Sequence, residues 1–200
     1  HWHGLTPPWQ QDGVPGLSQA PLAPAAAYDY DFLLQWPGTY WMHSHQGLQE
    51  QSLMAAPLIV HDPVQAAEDV QEVVVLFHDF TFRDPKEVLA ELQSGGTDAT
   101  GAGGMDHVAM GHGAPMTNDA VHLNDVDYDA FLANDRTLED PEIFRVERGG
   151  RVHLRLINGA AATNFWMDLD RLEGRLVAVD GLPVEPIAGR RFEFAIAQRL

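Results

Sequence analysis

The chain has 200 residues, 45% of them hydrophobic, a formal net charge of -17 at pH 7 and no cysteine. That length and apolar content support one large core or two small ones, and the negative charge opposes nucleic-acid binding and electrostatic attachment to anionic membranes. Without cysteine this chain has no disulfide, thiolate metal site or thiol nucleophile, so any metal must be held by His, Asp, Glu or Met.

Short Val, Leu, Ile and Phe runs alternate with Pro and Gly, which predicts a mainly β fold. Residues 1 to about 62 read as extended segments joined by turns at Asp12-Gly13, Pro15-Gly16 and Pro37-Gly38. Tyr28-Asp29-Tyr30-Asp31-Phe32 alternates aromatic and acidic residues, as a half-buried strand does, and Pro57 to Val60 reads as a buried strand. Val64 to Asp69 resembles a linker. A second unit opens with the β-branched run Glu72 to Phe77; Pro85 to Leu92 suits a short helix, and Ser94 to Asn118 is a Gly-rich insertion. Arg151 to Ile157 alternates and ends at Asn158-Gly159, a strand followed by a tight turn, and Phe165 to Leu169, Gly174 to Val179 and Arg191 to Ile196 continue as strands. No run of about 18 apolar residues is present, so no membrane insertion is expected. The chain opens directly on a motif, without a signal peptide, as a segment lacking its upstream residues would.

The chemistry is concentrated in His1-Trp2-His3-Gly4 and Trp41-Met42-His43-Ser44-His45. On a strand, residues i and i+2 share a face about 6.6 Å apart, a separation that suits two neighbouring ions better than one. Two such pairs on adjacent strands direct four imidazoles into one space, with Trp2 and Ser44 on the opposite face and Gly4 allowing close backbone approach. Imidazole suits zinc, copper, iron and nickel alike, so residue type alone does not name the metal.

The flanking residues resemble the multicopper oxidases, the family of laccase and ascorbate oxidase. That family's first two copper motifs read His-Trp-His-Gly and Trp-Tyr-His-Ser-His, and this chain departs only at Met42, which points away from the metals. Asp12 to Gly16, Gly38 to Trp41 and Gly47-Leu48-Gln49-Glu50-Gln51 are also similar, the last to the bacterial copper-resistance branch. Asn124 to Tyr128 and Arg155 to Ala160 resemble that branch's middle domain.

The resemblance implies tandem cupredoxin-like Greek-key β-sandwiches, the first truncated at its start and the second at its end. Residues 1–63 would be the C-terminal part of domain 1, 64–71 a linker, and 72–200 domain 2 with a Gly/Met/His insert at about 94–118. It implies a trinuclear copper cluster in which His1 ligates the type 2 copper, His3 and His43 share one type 3 copper, and His45 binds the other. Asp12 matches a carboxylate that hydrogen-bonds near the type 2 site and assists proton delivery. Dioxygen and a reducing substrate, Cu(I) or phenol-like, are the implied partners, and the location is periplasmic or extracellular. A type 1 copper needs cysteine with histidines, which this chain lacks, so a missing C-terminal cupredoxin domain is a further expected partner and the segment alone is not expected to reduce oxygen.

Two other readings compete: a copper monooxygenase with a histidine brace at His1, which leaves His43 and His45 unexplained, and a non-catalytic copper-sequestering protein. Met105, His107, Met110, His112 and Met116 could form a soft Cu(I) site, although their Gly-rich setting favours a linker. His61, His78, His122 and His153 have no partner at ligand spacing and read as strand-end or surface residues.

Overall fold

The computed structural model describes residues 1–94 and 126–200. They fall into two units: His1–Phe82 with Tyr128–Leu200, which carries every described strand, and Arg83–Asp127, which carries a helix. In the second unit, α1 (Pro85–Gln93) starts where the Asp84 carboxylate accepts from the Lys86 amide and Pro85 fills the first turn, an N-cap that satisfies a backbone donor the helix cannot.

In the first unit, β1 (Trp2–His3), β2 (Gly38–His43) and β3 (Ala55–Val60) form an antiparallel sheet with β2 in the centre. A second sheet has β4 (Gln71–Phe80) in the centre, antiparallel to β5 (Ala130–Ala133) and parallel to β6 (Val152–Asn158). The β-branched run Val73 to Val75 suits a strand, and it pairs there with Leu154 to Leu156 of β6. Strand β7 (Phe165–Asp168) pairs with β10 (Arg191–Phe194), and β8 (Gly174–Val179) with β9 (Leu182–Gly189). The β8–β9 turn, Asp180-Gly181, has positive φ at both residues, the backbone of a two-residue hairpin turn. The last residues return along the free edge of β6, where Leu156 and Leu200 exchange both main-chain hydrogen bonds.

Trp41 of β2, Leu76 of β4 and Ile157 of β6 form one buried cluster, so the inner face of the histidine-bearing sheet is also core. Two buried arginines reinforce this join. Arg155 reaches the Thr39 hydroxyl (3.0 Å) and pairs with Glu72, while the Arg199 Nε donates to the Thr39 carbonyl (3.2 Å). Phe77, Phe165 and Phe194 pack as a second aromatic group.

Three expectations need correction. Tyr28 to Phe32 is not a strand: it has no ladder partner among the described residues, and its alternation is used by Tyr30 and Phe32 packing against Trp2. Asn158-Gly159 does not form the expected tight turn after the strand: Asn158 is still the last residue of β6. Asn158 is fully buried, its amide donates to the carbonyls of Thr163 and Phe194, and its oxygen accepts from the Ala160 amide, so it organises a loop from within. His78 is neither terminal nor superficial; it lies inside β4 and is 2% exposed. The proposed Met/His site between Met105 and Met116, and His122, lie outside the described residues.

Candidate metal centre

Strand pairing brings the histidines together. The main-chain nitrogen of His1 donates to the His43 carbonyl (2.9 Å) and that of His43 to the His1 carbonyl (3.2 Å), making the two a directly opposed pair; Trp2 then faces Met42, and His3 faces Trp41. Alternation puts His1, His3, Trp41 and His43 on one face of the sheet and Trp2 and Met42 on the other. His45 follows the end of β2, yet its ring centroid is 5.1 Å from His1 and 4.8 Å from His43. All four predicted histidines therefore share one space, with His1 also 5.5 Å from His3 and 5.3 Å from His43.

The orientation of the rings matters more than their proximity. Nδ1 of His3 faces Nε2 of His43 at 3.2 Å, and His1, His3 and His43 each offer a nitrogen within 4.8 Å of the others. Two nitrogens bound to one ion at tetrahedral geometry, each about 2.0–2.1 Å away, would lie about 3.3 Å apart. Desolvation, reinforced by the positive charge of Arg199 and by His43, lowers the His3 pKa from 6.5 to about 4. His45 is also lowered, first by desolvation and then by His43, against the opposing pull of Glu50 and Asp12. Both rings are thus neutral near pH 7, the state in which imidazole has a lone pair to donate. The donor set fits a soft-to-borderline transition ion held by nitrogen.

Asp12 lies beside His1. A short 3-10 turn, Trp9–Gln11, ends at Asp12, and the Gln11 carbonyl accepts from the Trp2 indole (3.0 Å), pinning the loop to β1. Asp12 Oδ1 then lies 2.9 Å from His1 Nδ1. A Cβ at Gly13, whose φ is +79°, would sit 3.3 Å from the His1 nitrogen, so glycine serves the close turn there. His1, His43 and His45 open onto a cavity of about 570 Å³, which also reaches Met42, Gln49 and Met54.

Three neighbours were given no role at the site from sequence. Trp41 stacks on His43 (4.2 Å, 20°) and on His3 (4.9 Å, 25°); the period of two could have placed it on the ligand face. Glu50 Oε2 lies 3.2 Å from His43 Nδ1 after an irregular turn that no periodicity reveals. Arg199 is remote in sequence, yet a Cβ on Gly4 (φ +87°) would collide with its guanidinium, which explains the glycine of the first motif. Of the remaining histidines, exposed His61 meets Glu72 Oε1 at 2.9 Å, and His153 is half-buried in β6.

A model of the multicopper oxidase family matches residues 1–65, and a second matches residues 71–200. The chain is 31% identical to copper resistance protein A of Escherichia coli, over 99% of this chain and 36% of that protein. Copper resistance protein A of Pseudomonas syringae pv. tomato is 33% identical over 99% of this chain and 36% of its own length. The chain thus spans 36% of the length of these curated relatives. Among solved structures it is similar to the laccase from Botrytis aclada, with a TM-score of 0.69 and 25% identity over 100% of this chain and 35% of that one.

Proposed function

Since the chain belongs to the multicopper oxidase family, whose cofactor is copper, we propose that His1, His3, His43 and His45 hold copper within an oxidase that uses dioxygen. In this reading His1 takes the type 2 ion, His3 and His43 share one type 3 ion, and His45 takes the other. The observation that carries it is the pair of facing nitrogens, His3 Nδ1 and His43 Nε2, at 3.2 Å.

Bound copper would supply single-electron redox chemistry, coupling oxidation of Cu(I) or a phenol to four-electron reduction of dioxygen to water. The residues of this chain set the conditions for it. Burial keeps the His3 and His45 rings neutral and therefore available as donors. Asp12 accepts a proton-bearing Nδ1 of His1, which leaves Nε2 free to face the centre, and its carboxylate is the nearby group able to hold and pass a proton. The division near residues 64–71 into two cupredoxin-like domains belongs to the same proposal, supported by the separate matches to 1–65 and 71–200. So does the assignment of the type 1 copper and remaining cluster histidines to a C-terminal domain, because this chain offers no cysteine. A periplasmic or extracellular location completes the reading; among the described residues no helix is long and apolar enough to cross a membrane.

A histidine brace would use the main-chain nitrogen and Nδ1 of His1. Here the first donates to the His43 carbonyl and the second meets Asp12, so both atoms are engaged. Copper-loaded intact protein should consume oxygen with a phenol or Cu(I) as reductant, without releasing peroxide. Stoichiometric copper binding with no oxygen uptake from either reductant would instead support a sequestration protein.

A further inference from the structure

We propose that Glu50 is a positioning residue for the metal centre: its carboxylate accepts a hydrogen bond from the Nδ1–H of His43 and so aims the Nε2 lone pair of that ring at the ion shared with His3. This inference rests on the copper reading of the site given above.

The His43 side chain is 6% exposed and wedged between Trp41 (centroids 4.2 Å apart) and His45 (4.8 Å). Stacking fixes the plane of the ring but not its direction, because a half-turn about the Cβ–Cγ bond keeps the plane and moves both nitrogens. A hydrogen bond at one nitrogen removes that ambiguity, and it also sets the tautomer, since a neutral ring carries one proton and one lone pair. Nε2 faces His3, so the proton belongs on Nδ1. That atom is buried and has no aligned hydrogen-bond partner among the described residues, while Glu50 Oε2 stands 3.2 Å away. At that separation the carboxylate is within reach of the Nδ1 proton.

The local chain is built to keep Glu50 there. The Ser44 hydroxyl donates to Gln49 Oε1 (2.7 Å) and accepts from the Gln46 amide (3.0 Å), while Ser44 N donates to Met54 O (3.0 Å) and Met54 N to Gln49 O (3.0 Å). Between these ties, Glu50–Ser52 forms a 3-10 turn closed by Leu53 at φ 65°, a left-handed conformation that a branched side chain adopts only under constraint. The Glu50 side chain is 25% exposed, so it is a held group and not a free surface carboxylate. Asp12 on His1 and Glu50 on His43 thus repeat one device at two ligands: a carboxylate against Nδ1, with Nε2 left for the metal.

The test uses the intact protein and its variants Glu50→Gln and Glu50→Ala. Copper affinity would be measured by competition with a chelator, and the protonation of the His43 nitrogens by nitrogen NMR on the diamagnetic Cu(I)-loaded form. In the wild type, His43 should carry its proton on Nδ1 and the metal on Nε2. Glu50→Ala should weaken copper binding roughly 10- to 100-fold, with Glu50→Gln retaining part of it because the amide oxygen still accepts. Wild-type affinity in both variants, or His43 bound through Nδ1 in the wild type, would overturn the proposal. If Glu50→Ala does not fold, Glu50→Gln and the wild-type nitrogen signals decide. Failure of the wild type to hold copper at His43 would defeat the reading of the whole site, whereas unchanged variants beside a loaded wild type defeat only the role of Glu50.

Discussion

His43 and His78 are both buried histidines in the central strands of their sheets, yet their surroundings differ in kind. The His43 side chain is 6% exposed and lies among three other imidazoles, one of them presenting a nitrogen 3.2 Å away. His78 is 2% exposed, neither of its ring nitrogens has a hydrogen-bond partner among the described residues, and a Cβ on Gly159 would come within 2.8 Å of its Nε2. On the proposed reading, burial does not mark a metal ligand; convergent lone pairs do. The i, i+2 pair at His1 and His3, set against His43 by strand pairing, creates that convergence, and an isolated histidine on β4 cannot.

The strongest attack on this contrast is His43→Ala. It should abolish copper-dependent oxygen uptake in the intact protein and remove the ion shared with His3, read as lost copper stoichiometry and lost oxygen consumption. Asp12→Ala comes next, leaving the His1 Nδ1 without its acceptor, with an expected loss of roughly 10- to 100-fold in copper affinity or oxygen uptake. Asp12→Asn should lose less, because its side-chain oxygen still accepts.

Gly4→Ala sharpens the comparison from the scaffold side. It places a Cβ at φ +87° and against the Arg199 guanidinium and Tyr40, and should cost about 1–3 kcal/mol in thermal or denaturant unfolding. Smallest of all is His78→Leu, which should leave copper content unchanged. Burial lowers the His78 pKa from 6.5, with Asp135, Asp79 and Glu50 pulling the other way. The unfolded chain therefore binds more protons in the window below about pH 6.5, so stability is present above it and falls as pH drops through it. The leucine variant should flatten that acid slope, measured as unfolding midpoint against pH.

Local pattern made much of this legible. The continuous run at Glu72 to Phe77 and the alternation at Arg151 to Ile157 became β4 and β6 because a period of two needs only near neighbours to express itself. The same period put His1, His3 and His43 on one face. What could not be read depends on long-range contact. Parallel pairing sets Gln71 beside Val152, Arg199 fills the space that Gly4 leaves, and Asn158 turns inward because Phe194 and Thr163 offer carbonyls there. Tyr28 to Phe32 shows the converse limit: a strand-like alternation is satisfied by aromatic packing on Trp2 with no ladder among the described residues. Glu50 was hidden for a related reason, since an irregular 3-10 turn decides where its carboxylate lands.

The most direct test is to locate copper by anomalous scattering at its absorption edge in crystals of the copper-loaded intact protein. The account predicts an ion about 2.0–2.2 Å from both His3 Nδ1 and His43 Nε2, with further copper at His1 and His45. Loaded crystals with no copper between those two nitrogens would contradict it.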